Sequence, residues 1–502
     1  MMNIIYRSTR NHQHTATASE AVLRGLAPDG GLYVPDRLTA IDTDFTALAE
    51  MSYQELAFEV LSKLLTDYTE AELKYCIASA YDEKFDTDEI VPMTKVDGAY
   101  HLELFHGPTI AFKDMALSIL PYLMTTAAKK QGMDRDIVIL TATSGDTGKA
   151  AMAGFADVEH TKIIVFYPKD GVSVIQEQQM LTQTGANTYV VGIHGNFDDA
   201  QTGVKKLFAD QALAGELEAA GLQFSSANSI NIGRLAPQIV YYVYGYCRLV
   251  KRGVIKAGDR INVCVPTGNF GNILAAWYAK GMGLPIAKCI CASNENKVLF
   301  DFFTTGVYDR NRDFVLTTSP SMDILISSNL ERLIYAAAGQ DSTVCAGLMK
   351  ELQEQGVYSV SEQLKSGLHD FIGGYATEIE TIHRIREVYE QEGYVMDTHT
   401  AVASQVYHKY RTDSGDETVT LLASTASPYK FVKTVVSAIA PEERQKNEFR
   451  LLDILEKLSG VPQPAAVRGL ETAQILHQRI CRADQMKLTV QQILGLDQMG
   501  ER

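Results

Sequence analysis

The feature that most constrains the fold of this chain is a repeated alternation of texture. From residue 136 onward, short β-branched runs give way each time to stretches of helical periodicity. The segments DIVILTAT (136–143), KIIVFYP (162–168), NTYVVGI (187–193), RINVCVP (260–266), PIAKCICAS (285–293) and TVTLLAST (418–425) read as strands. Strand, crossover helix and strand in repetition imply an α/β fold built on parallel, doubly wound sheets. The runs fall into two clusters, roughly 130–230 and 255–430, so two α/β units with a cleft between them are expected. A length of 502 residues agrees, because one hydrophobic core seldom organises so many.

The rest of the chain divides around that centre. Residues 1–97 look mixed and helical, with the turn GLAPDGGLYVP followed by DFTALAEMSYQELAFEVLSKLL, whose apolar residues recur at three-to-four spacing. A core of 98–440 is expected, with a smaller subdomain at about 125–230 and a larger one at about 235–440. The tail, 441–502, carries the helical patterns EFRLLDILEKL and ILHQRICRADQM and is expected to pack on that core as helices.

Charge and cysteine usage narrow the function classes. A net charge of -15 argues against gripping a phosphate backbone, so no nucleic-acid partner is expected. The opening MMNIIYRSTRNHQHTATASE lacks the apolar core of a signal peptide. The most apolar stretch, 235–250, contains Pro237 and Gln238 and falls short of a membrane span, so it reads as a buried helix and no membrane partner is expected. Seven scattered cysteines without a paired CxxC fit a reducing cytoplasm and give no metal site. Cys289 and Cys291, at period two, belong on one face of a strand.

The loops behind the strands hold the chemistry. GNFGN (Gly268, Asn269, Phe270, Gly271, Asn272) lies between a strand and a helix, where exposed N–H groups and the positive helix end converge on an anion. Taken alone, it reads more readily as a plain strand-to-helix turn. TSGDTGKAA (143–151) repeats the geometry but is no P-loop: Thr143 stands where the first glycine belongs, and alanine follows Lys149. Its Thr143, Ser144, Gly145 and Thr147 suit a carboxylate or phosphate. A dinucleotide GxGxxG is missing after every strand. In SSANSINIGR (225–234), Arg234 with Asn228 and Ser229 offers a third anion site or, alternatively, a capped surface loop. Finally, HGPTIAFKD (106–114) wedges Lys113 among Ile110, Ala111, Phe112 and Met115, where desolvation lowers the pKa of an amine. Were Lys113 merely structural, Asp114 would be its obvious partner.

Together Lys113 in HGPTIAFKD, TSGDTG, NSINIGR, GNFGN and LLASTASPYKF, in that order and preceded by GLAPDGGLYVP, resemble the threonine synthase family, pyridoxal-phosphate (PLP) enzymes of fold type II. The resemblance runs from about residue 5 to 435. It implies a PLP-dependent lyase in which Lys113 is the Schiff-base lysine and GNFGN grips the cofactor phosphate. Thr425 would face the pyridine nitrogen, and Asp146 the cofactor's 3'-oxygen. The implied substrate is O-phospho-L-homoserine, its carboxylate at Thr143, Ser144, Gly145 and Thr147 and its phosphate at Asn228, Ser229 and Arg234. A cytoplasmic monomer or homodimer in threonine biosynthesis is expected. The alternative on the same scaffold is a threonine or serine dehydratase or an O-phospho-lyase, and NSINIGR, superfluous in a dehydratase, argues against that first option.

Overall fold

The computed structural model describes residues 3–143, 145–169 and 171–497, and all counts below refer to these. Two parallel sheets form the frame. The larger runs Phe371–Tyr375, Ile286–Ser293, Ile261–Pro266, Thr420–Ser424, Ala99–Glu103, Met93–Val96, and only the last strand is antiparallel to its neighbour. The smaller is parallel throughout, in the order Arg479–Arg482, Thr188–His194, Thr161–Pro168, Asp136–Ala142, Leu222–Ser225. The expected β-branched strands are all present, within a residue or two of their predicted ends, in two α/β units.

Strands also form where no pattern announced them. Leu222–Ser225 is too short to show a period. Phe371–Tyr375 contains Gly373 and Gly374, which weaken a strand on propensity. Here they make room for neighbours: a Cβ on Gly374 would lie 2.4 Å from Val406 Cγ1, and one on Gly373 3.2 Å from the Phe300 Cα. The tail corrects the expectation of a purely helical segment. It holds the helices Glu448–Ser459 and Met486–Leu494, but Arg479–Arg482 between them is a parallel edge strand beside Thr188–His194.

The helix Ile232–Lys251 is the axis of the core. Its apolar residues are buried on nearly every side, and its tyrosines meet the N-terminal helix Tyr53–Leu61 through edge-on rings of Tyr244 and Tyr53 at 5.2 Å. One continuous apolar cluster therefore includes Ile4 and Leu56 as well as Ile139 and Val263 from the two sheets. No helix among the described residues is long and apolar enough to cross a membrane. All seven cysteines are buried and free, and no group of ligating side chains among the described residues could hold a metal ion.

Candidate active site

Lys113 immediately precedes the short helix Asp114–Leu117. The segment leading to it is laid against the end of the strand Thr420–Ser424: Phe112 N–H donates to the Thr425 carbonyl (2.8 Å), Ala111 bridges Ala426, and Ser427 N–H donates to the Ile110 carbonyl (3.0 Å). Ile110 pays for this path with φ of +54°, a left-handed conformation rare for a β-branched residue. Lys113 thereby lies 8% exposed, its Nζ 4.7 Å from the Phe112 ring centre, donating to Ser321 Oγ (3.3 Å) and 3.8 Å from Asp146 Oδ2. Burial pushes its amine down to about 8; Asp146 opposes that shift, while Lys430 and Arg234 reinforce it. Asp114 is turned elsewhere and accepts from Thr109 N–H (2.8 Å) and Thr109 Oγ1 (2.5 Å).

Asp146 opens the helix Asp146–Phe155 and is the hub of the site. Its Oδ1 accepts from Gln176 Nε2 (2.8 Å) and faces Lys430 Nζ at 3.3 Å, while Oδ2 accepts from Ser321 Oγ (3.1 Å). Burial opposes its charge, but Lys430, Lys113 and the Gln176 bond outweigh it and hold the carboxyl below the usual carboxylate range. The preceding loop is braced from within: Thr143 Oγ1 accepts from the N–H groups of Gly145 (3.0 Å) and Gly148 (2.9 Å). Gly145 has φ of +136°, and a Cβ there would lie 2.6 Å from Gln176 Nε2. Thr147 is half-buried, and Ser144 lies outside the described residues.

GNFGN connects the strand Ile261–Pro266 to the helix Gly271–Gly281. Phe270 turns the chain with φ of +63°, its ring packed 5.5 Å from that of Phe371. Gly268 is needed for a protein neighbour, since a Cβ would lie 2.5 Å from the Ser321 carbonyl oxygen. The Asn269 carbonyl accepts from Asn329 N–H (3.1 Å) and Nδ2 (2.9 Å). Asn272 Oδ1 accepts from Tyr241 (2.8 Å) and Tyr242 hydroxyls, which orients the amide; its Nδ2 is buried and meets no partner.

Arg234 lies in the first turn of Ile232–Lys251, 4% exposed. Its Nη1 donates to the Ala227 carbonyl (3.0 Å), its Nε is buried without a partner, and burial lowers its pKa to about 10. Ser229 is half-buried and its carbonyl accepts from Asn329 Nδ2 (3.2 Å); Asn228 is exposed. Thr425 is buried at the end of its strand, next to the Lys113 segment.

The residues that sequence reasoning missed are those that complete Lys113's surroundings. Ser321 has no motif around it, and its N–H donates to His399 Nε2 (3.1 Å), whose Nδ1 bonds Asp397 (2.9 Å). Lys430 stands in SPYKF, a stretch singled out, but only for Thr425; Gln176 gave no signal beyond a capping position.

Residues 5–81 match the family described as threonine synthase N terminus, and residues 92–425 match pyridoxal-phosphate dependent enzyme. The chain is 34% identical to the threonine synthase of Saccharomyces cerevisiae over 91% of its own length and 93% of that protein's. It is 38% identical to Threonine synthase-like 1 of Homo sapiens over 95% of its length, but spans only 66% of that relative, just under two thirds. Its backbone overlays the PLP-bound threonine synthase of Brucella melitensis with a TM-score of 0.87, at 34% identity, covering 98% of this chain and 99% of the other. The chain belongs to the threonine synthase family of pyridoxal-phosphate-dependent enzymes.

Proposed function

We propose that the protein converts O-phospho-L-homoserine and water into L-threonine and phosphate, with pyridoxal 5'-phosphate held at Lys113. The observation that carries this reading is a buried amine of lowered basicity facing an ionised carboxylate, in a chain of this family. The side chains fit the cofactor. Lys113 offers an amine to an aldehyde, and Asn272 Nδ2 is an oriented, unpartnered donor beside the strand-to-helix turn, suited to a phosphate oxygen. Gly268, Asn269, Phe270 and Gly271 would complete that phosphate site, Thr425 would meet the pyridine nitrogen, and Asp146 would lie toward the 3'-oxygen.

When bound, the cofactor supplies an electron sink for charge left on carbon. Lys113, with a pKa of about 8, takes the proton from the substrate Cα, because an amine near neutrality both accepts and returns protons. Loss of a proton from Cβ, departure of phosphate from Cγ, reprotonation at Cγ, addition of the water oxygen at Cβ and return of a proton to Cα complete the balance. Arg234 receives the departing phosphate: its guanidinium stays charged at neutral pH, and its unpartnered Nε is available, with Asn228 and Ser229 alongside. Gly145 and Thr147, with Ser144, would hold the substrate carboxylate, while Thr143 shapes their loop.

The reading includes a catalytic core at 98–440 between an N-terminal extension and a packing tail, and a cytoplasmic monomer or homodimer; free buried cysteines agree with a reducing compartment. Coupled assays of purified protein with O-phosphohomoserine test it: equal amounts of threonine and phosphate are expected, whereas ammonia with 2-oxobutanoate would indicate the alternative, an O-phospho-lyase that stops at the ketoacid. Arg234→Ala should lower kcat/KM about 100- to 1,000-fold and leave the visible absorbance of bound PLP intact. Unchanged kinetics would remove the phosphate assignment.

A further inference from the structure

Lys430 is 2% exposed, and an ammonium so placed is tolerated only when paired and hydrogen-bonded. Its Nζ donates to the Thr109 carbonyl (2.9 Å) and faces Asp146 Oδ1 at 3.3 Å. Both partners bear on Lys113. Thr109 lies four residues before it and fixes Asp114; Asp146 presents its other oxygen to the Lys113 amine. One carboxylate is thus shared between two lysines, one sealed in the protein and one at the site. Ser321 adds a neutral hydroxyl to both Lys113 and Asp146.

We infer that Lys430 is a positioning residue for the reaction assigned above: as the permanent counter-ion of Asp146, it holds that carboxylate in place and prevents it from pairing exclusively with Lys113. The amine of Lys113 then remains able to release its proton. This rests on the reading of Lys113 as the reactive amine.

The charged groups facing Lys113 are Asp146 from its helix, Lys430 from the turn Pro428–Phe431, Arg234 from the helix Ile232–Lys251, and Asp114 beside it. His399 acts on Asp146, and Lys149 feels Lys430. Removing Lys430 has two effects of the same sign. It deletes a positive neighbour, and it leaves Lys113 as the only lysine facing Asp146. Both stabilise the ammonium, so Lys113 should keep its proton to higher pH.

The test uses the holoenzyme. Lys430→Met should move the acid limb of kcat, where the Lys113 amine is free to act, upward by roughly one pH unit, and the pH at which the visible band of bound PLP changes should rise with it. Lys430→Arg should restore both, and adding Asp146→Asn to Lys430→Met should return the limb toward the wild-type position. A purely structural lysine would lower stability without moving either profile, and unmoved profiles in Lys430→Met overturn the inference. Should that variant not fold, Lys430→Gln, which keeps a donor for Thr109, carries the same expectation and the same refutation. Borohydride reduction and peptide mapping separate the two ideas: attachment of PLP at a residue other than Lys113 sinks the underlying reading instead.

Discussion

At Lys113 one side chain is balanced among a carboxylate, two cations and an aromatic face, and that balance sets its chemistry. Ser321 is the neutral member of the set: it accepts from Lys113 and donates to Asp146, so it aligns both without adding charge. Ser321→Ala should lower kcat about tenfold with KM nearly unchanged, and shift stability by about 1 kcal/mol or less, the net worth of one hydrogen bond. Steady-state kinetics and thermal melts check this, and an unaltered kcat would reduce Ser321 to a loop residue. Lys113 itself was legible because a lysine bracketed by Ile110, Ala111, Phe112 and Met115 is desolvated whatever the fold. Its partner was not. Asp114, the neighbour in sequence, bonds Thr109 in the loop that leads into its own short helix, and the carboxylate that reaches Lys113 comes from the start of the helix that follows a strand of the other sheet.

Two helices bring these groups together. Lys113 precedes Asp114–Leu117, Asp146 begins Asp146–Phe155, and they cross closely because Gly154 has no side chain. A Cβ on Gly154 would lie 2.1 Å from the Leu117 carbonyl oxygen, and backbone cannot rotate away. Gly154→Ala should therefore push the helices apart, costing about 1–3 kcal/mol or more as overpacking does. It should also reduce activity more than tenfold, because Asp146 moves with its helix; urea unfolding together with kinetics measures both, and a variant of full activity would show that the crossing does not set the Lys113 to Asp146 distance. The helix was readable from its alanines after a glycine loop, and the long strands from their β-branched runs. Phe371–Tyr375 and Arg479–Arg482 were not, since their pairing comes from neighbours already in a sheet rather than from local preference.

Across the whole molecule, the N-terminal unit braces the catalytic loops. Arg10 bonds Glu331 through Nε (2.9 Å) and Nη2 (2.7 Å), Thr9 donates to the same carboxylate (2.5 Å), and buried Arg332 donates to the carbonyls of Tyr33 (3.0 Å) and Ile230 (2.6 Å) and to Asn329. Asn329 in turn holds Asn269 in GNFGN and the Ser229 carbonyl. Arg332→Met should cost about 2–5 kcal/mol by stranding those acceptors. It should also weaken PLP binding about tenfold, measured by cofactor titration; an unchanged Kd would disprove the brace. The sequence by itself determined the parallel α/β plan, the anion-binding turns and the desolvated lysine, because periodicity, glycine placement and the apolar neighbours of one residue act over a few positions. Only the tertiary structure decided that Ser321 and Lys430 join Lys113, that Asp146 is shared between two lysines, and that Thr9 and Arg10 reach Glu331. Apart from that of Lys113 with Asp146, those contacts span 175 to 322 positions of chain, and such pairings are selected by the packing of whole elements, which no local pattern encodes.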